Sequence, residues 1–107
     1  MPNLHRGEIE AEIGGARRRL VLTLGALAEL EAAFGVGDLV ALAERFESGR
    51  LKALDLVCII GAGLRGAGAT ISDEEVARMA VEDGAAGYAR IAAGLIAATF
   101  GGAGAQR

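Results

Sequence analysis

One short stretch of this chain alternates with period two, and every apolar stripe after it repeats at helical spacing; that contrast constrains the fold more than any other feature. Residues 8–13 read Glu-Ile-Glu-Ala-Glu-Ile, which puts Ile9, Ala11 and Ile13 on one face of a strand and three glutamates on the other. Gly14-Gly15 follows as a turn able to take positive φ at both positions, and residues 17–23 read as the returning strand. A two-residue turn sets Glu12 opposite Arg17, Glu10 opposite Arg19 and Ile9 opposite Leu20. The hairpin then has one charge-paired face and one apolar face. Each cross-strand pair contributes about 0.2–1 kcal/mol and helps to fix the register.

The rest reads as helix. Thr23 caps a helix over 24–34 with Leu24, Leu27, Leu30 or Glu31, and Phe34 on its buried face, and Gly35 stands where such a helix stops. A second helix opens at Asp38, buries Leu39, Leu42, Ala43 and Phe46, and ends at Gly49. Residues 51–64 are apolar nearly all round and predict a central buried helix. After a loop over 66–71, Ser72 and Glu75 form a capping box for a short helix through Ala80, and Asp83-Gly84 breaks it. A last helix over 85–100 buries Tyr88, Ile91, Ala92, Leu95 and Thr99, and residues 101–107 form a flexible tail. The expected architecture is α+β and mostly α: a two-stranded antiparallel hairpin followed by four to five short helices packed as one bundle. It is expected to form a single domain over 1–107, ordered from about residue 6 to about residue 100.

Composition narrows the function. Hydrophobic residues are 52% of the 107, but 23 of them are Ala and 17 further positions are Gly, so 33 larger apolar side chains must build the core. A net charge of −3 argues against nucleic acid as a partner, because that affinity comes from clustered cations. No stretch approaches the ~20 apolar residues of a membrane span, and residues 1–8 lack a signal-peptide pattern, so neither membrane nor export is expected. The lone cysteine, Cys58, has no internal disulfide partner and sits in the most apolar helix, where it reads as a small hydrophobe.

The motifs that hint at chemistry have plainer explanations. Residues 61–66, Gly-Ala-Gly-Leu-Arg-Gly, match a dinucleotide fingerprint in letters, yet a loop follows them where the motif requires a helix to begin, and no second βαβ unit exists. Close helix packing is the better account. Two of the three arginines at 17–19 face glutamates across the turn, leaving Arg18 to snorkel from the apolar face. His5 is the single histidine and builds neither a zinc site nor a catalytic pair with Cys58. Asp73, Glu74 and Glu75 suit a helix N-terminus, and Glu82-Asp83 lacks calcium-loop spacing. No catalytic, cofactor or metal site is expected, and the chain is not expected to be an enzyme.

The segments 6–11, 22–31, 34–35, 38–39, 51–66 and 72–76 resemble, in order and spacing, a small family encoded in the tail-gene block of gene transfer agents and related siphophage-like prophages of alphaproteobacteria. The resemblance covers about residues 6 to 101 and rests on structural motifs. Members carry two labels, tail tube protein and tail assembly chaperone. A tube subunit needs a β-sandwich whose strands close into a ring, whereas this chain supplies one hairpin. The favoured implication is therefore a non-catalytic chaperone that binds the tape measure protein in the bacterial cytoplasm, with the tail tube protein as a further expected partner, and is absent from the mature particle; the alternative is a structural tail component retained in it. The expected client surface is Tyr88, Ile91, Leu95 and Phe100, with Leu39, Leu42 and Phe46. The hairpin edge or the helix faces are the expected routes to a homo-oligomer.

Overall fold

The computed structural model describes residues 7–101, so His5 and residues 102–107 of the expected tail lie outside the described residues. Strands β1 (Ile9–Ile13) and β2 (Ala16–Leu20) pair antiparallel in the expected register, with Ile9 opposite Leu20, Glu10 opposite Arg19 and Glu12 opposite Arg17. Gly14 and Gly15 make the turn with φ of 64° and 82°, the double positive value that a two-residue hairpin turn demands. The ion pair on the polar face is diagonal, however: Arg17 Nε donates to Glu10 Oε1 at 3.2 Å, not to the glutamate directly opposite. Arg18 projects from the apolar face, where its Nε donates to the Ile13 carbonyl at 2.8 Å.

Five helices follow: α1 (Leu24–Phe34), α2 (Leu39–Glu47), α3 (Ala53–Gly66), α4 (Asp73–Ala77) and α5 (Gly84–Ile96), the last continuing into a π-helical turn at Ala97–Gly101. Thr23 caps α1 by accepting from the Ala26 amide at 3.1 Å, and Gly35 ends it at φ 68°. Asp38 caps α2 by accepting from the Ala41 amide at 2.8 Å. The central helix begins two residues later than the apolar run, because the Lys52 amide donates to Asp55 Oδ2 at 2.9 Å and fixes the N-terminus there. The Ser72–Glu75 capping box is formed, but α4 stops at Ala77 and not at Ala80. The carbonyls at this end are used otherwise: Tyr88 Oη donates to that of Val76 in the last turn of α4 and to that of Met79 beyond it, and the Gly14 amide donates to that of Ala80 at 2.8 Å. At the far end of α5 the helix widens where Thr99 Oγ1 donates back to the Leu95 carbonyl at 2.7 Å, so residues expected as plain helix form a π turn.

Both strands and all five α-helices send at least one enclosed side chain to the core: Ile13, Leu20, Leu30, Leu42, Ile60, Val76 and Leu95, in chain order. Three expectations fail at the surface: Leu39, expected on the buried face of α2, is exposed on the turn that opens the helix, and Leu24 and Leu54 are exposed too. Leu24 is 78% exposed because its turn of α1 borders only a shallow depression shared with Leu39, with no described element over it. Leu54 is 65% exposed, so α3 is not buried all round.

Residues 61–66 lie inside α3, and each glycine of the apparent fingerprint serves packing. A Cβ on Gly61 would meet Asp73 Oδ1 at 2.2 Å, one on Gly63 would meet Leu95 Cδ2 at 2.6 Å, and one on Gly66 would meet the Val21 carbonyl oxygen at 2.1 Å. Arg65, in the same run, ties three helices: it donates to Glu29 at 2.8 Å, to Asp73 at 3.0 Å and to the Ile71 carbonyl at 3.0 Å. A pyrophosphate site needs free glycine amides at a helix start, and these glycines are in helix.

These contacts set opposite signs for two glycine substitutions. Gly66→Ala should lose about 1–3 kcal/mol by forcing α3 off the Val21 backbone, despite alanine's higher helix propensity. In α1, Gly25 has only the Thr23 hydroxyl within reach, at 3.9 Å, so Gly25→Ala should gain about 0.5–1 kcal/mol; urea unfolding of both variants checks the pair. The Ser72 backbone and side chain, by donating to the Glu75 carboxylate, hold its pKa below the usual range. That stabilisation is complete above the unfolded carboxylate pKa and is lost as pH falls through the folded value, so Glu75→Gln should flatten the acid limb of a stability–pH profile.

Candidate functional site

An apolar groove of about 480 Å³ lies between α2, the start of α3, α5 and the π turn. Phe46 and Phe100 face each other in it with ring centroids 6.1 Å apart, and Phe46 is backed by Phe34 in an edge-to-face pair at 5.6 Å. Leu51, Leu56 and Ile96 add aliphatic walls. Ala89, Ala93 and Ala97 form one wall at helical spacing, where short side chains leave the space open. The mouth is braced by a polar clamp: Arg45 lies 5.3 Å over the Phe34 ring and donates to Asp55 Oδ2 at 3.1 Å and to the Arg50 carbonyl at 2.5 Å, joining α2 to the start of α3. Asp55 is thereby buried with its charge paired.

The seven residues expected to form a client surface do not lie together. Phe46 and Phe100 meet in the groove. Leu42 and Leu95 are fully enclosed and belong to the core, because the buried stripe of α2 packs toward α1 and that of α5 toward α3. Tyr88 is half-buried with its hydroxyl bonded to the end of α4 and to the turn after it, and burial pushes its pKa up. Ile91 packs half-buried against the core. Leu39 is 40% exposed beside Leu24, on the separate shallow depression between α1 and α2. Sequence reasoning missed Leu51, Leu56, Ile96 and the three alanines; the signal was the i, i+4, i+8 recurrence of alanine, which reads as filler when only large side chains are followed.

Other groups that suggest chemistry are held structurally. The Cys58 thiol is pushed up by burial and then by the adjacent Asp73 carboxylate, the opposite of a nucleophile's activation. Asp73 is engaged with Arg65, and Asp83 receives Arg90 Nη2 at 2.6 Å. Among the described residues no three His, Cys, Asp or Glu side chains come together as metal ligands, and no helix is long and apolar enough to cross a membrane. The arrangement offers contact surface: aromatic and aliphatic walls with polar groups at the rim.

The family model described as "Phage tail tube protein, GTA-gp10" matches residues 6–102. No curated protein and no solved structure matches the chain. The matched span covers every element described above, from the hairpin that seats on α3 to the π turn that closes the groove, and by it the chain belongs to this phage tail family of gene transfer agents.

Proposed function

We propose that this protein is a non-catalytic structural protein of a phage-like tail, acting by binding other tail proteins. The observation that carries the reading is the match of a tail tube family to nearly the whole chain. A place in the particle, as tube or tube-associated component, follows the family description most directly. The groove supports protein binding in particular: its aromatic floor and alanine wall suit the i, i+3, i+4 anchors of an amphipathic helix.

A second reading is favoured by one specific observation. Strands among the described residues are confined to one two-stranded sheet, which is far less than a tube wall asks of a subunit and is accompanied by five helices. That composition suits an assembly chaperone that holds the tape measure protein in the cytoplasm until the tube forms around it. The tape measure protein is the partner in this reading, with Phe46 and Phe100 as the anchors.

Mass spectrometry of purified particles separates the two. Tens of copies per particle support the tail component; absence from particles, together with a higher soluble yield of the tape measure protein on co-expression, supports the chaperone. Ala93 is an exposed groove residue, so Ala93→Glu should leave stability within about 0.5 kcal/mol and yet abolish co-purification of the tail partner. Unchanged co-purification removes the groove from the binding surface.

A further inference from the structure

The hairpin carries an unused pairing surface on each side, and the two are complementary. In a two-residue hairpin the closing residues, here Ile13 and Ala16, exchange both hydrogen bonds, and bonded pairs alternate from there. The backbone groups of Glu10 and Glu12 therefore point outward along the β1 edge, and those of Arg17 and Arg19 along the β2 edge. Beyond them the Val21 amide, next in the same outward row, donates to the Gly63 carbonyl at 3.0 Å, so α3 closes the β2 edge at that point. Among the described residues no backbone group outside the hairpin bonds to residues 10, 12, 17 or 19. An open pair of edges on a two-stranded ribbon is a template for further strands.

Charge selects the partner. Outward positions are glutamate on β1 and arginine on β2, so pairing like edges of two copies would set Glu against Glu or Arg against Arg. Pairing the β1 edge of one copy with the β2 edge of another sets Glu12 against the second copy's Arg17 and Glu10 against its Arg19. The side chains of Glu12 and Arg19 take part in no hydrogen bond or ion pair among the described residues, which leaves an anion on one edge and a cation on the other. We infer that this chain self-associates head to tail, β1 edge to β2 edge, extending the two-stranded sheet through successive copies. Such an interface is heterologous: each copy uses two different edges, and the assembly ends only by closing on itself or running out of subunits. The proposal rests on the strand edges and not on the groove, so its test is read separately from that of either tail reading.

Native mass spectrometry and light scattering over a concentration and salt series test it. The wild type should form higher species that weaken with salt, because the edge charges are exposed. Arg19→Glu should weaken self-association about tenfold, Glu12→Lys should do the same, and the swap Glu10→Arg with Arg19→Glu should restore it, since opposite charges again face each other. Circular dichroism melts confirm that each variant is folded, and Glu12→Lys serves if Arg19→Glu is not. Hydrogen exchange of the oligomer should protect the amides of residues 10, 12, 17 and 19. A chain that stays monomeric to millimolar concentration, an oligomer indifferent to both single variants, or protection confined to the groove each overturns the inference.

Discussion

The hairpin can rest on α3 only because α3 lacks side chains where they meet. Leu20 and Leu95 approach Gly63 from β2 and α5, and the Val21 carbonyl approaches Gly66, at separations that leave no room for a Cβ. Through that one helix the sheet and α5 share a core, and the Val21–Gly63 backbone bond joins the end of the hairpin directly to α3. A helix pays about 1 kcal/mol for each interior glycine, a cost that only close packing across it repays. The polar link is Arg65, whose guanidinium holds α1 and α4 to the same helix.

The same economy of side-chain volume explains the groove. With 33 apolar residues larger than alanine, the chain can enclose a core against one side of α5 but does not fill both. Leu95 and Ala92 take the enclosed side, while Ala89, Ala93 and Ala97 line the other and stop short of Phe46 across the gap. The Arg45–Asp55 pair and the stacked Phe34 ring keep the gap from collapsing by fixing α2 against the start of α3.

What the sequence shows of this fold follows from the range of each signal. The hairpin register and the caps at Thr23, Asp38 and Ser72 are local, set by groups within four residues of one another, and all are present, whereas Asp83-Gly84, expected to break the short helix, instead starts α5, α4 having ended at Ala77. The surface was less legible. Helical periodicity identifies an apolar stripe but not what covers it, so Leu24 reads like Leu27 although one is exposed and the other buried. For the same reason Leu42 and Leu95 read as candidate contacts and turn out to be core, while the groove, assembled from α2, α3 and α5, left only the alanine spacing as a trace. The glycines of the dinucleotide-like run mark three close contacts of one helix, a packing role that their letters alone do not reveal.

A helical subunit in a family described by a tail tube protein poses a question of strand supply. The described residues hold ten strand residues in one hairpin, too few for a subunit to contribute its own closed sheet to a wall. Sheet continuity would then have to come from between subunits, and among the described residues the strand edges that could provide it are those of the hairpin. Two-stranded ribbons gain most from such addition, since a third strand converts a marginal sheet into one with an interior strand. A subunit that works alone on a client would instead need its edges kept apart, and on this chain the means to that end would be the exposed charges on both edges. The alternation of Glu and Arg on opposite edges is thus the feature on which the two tail roles make opposite demands: it deters like edges and invites unlike ones.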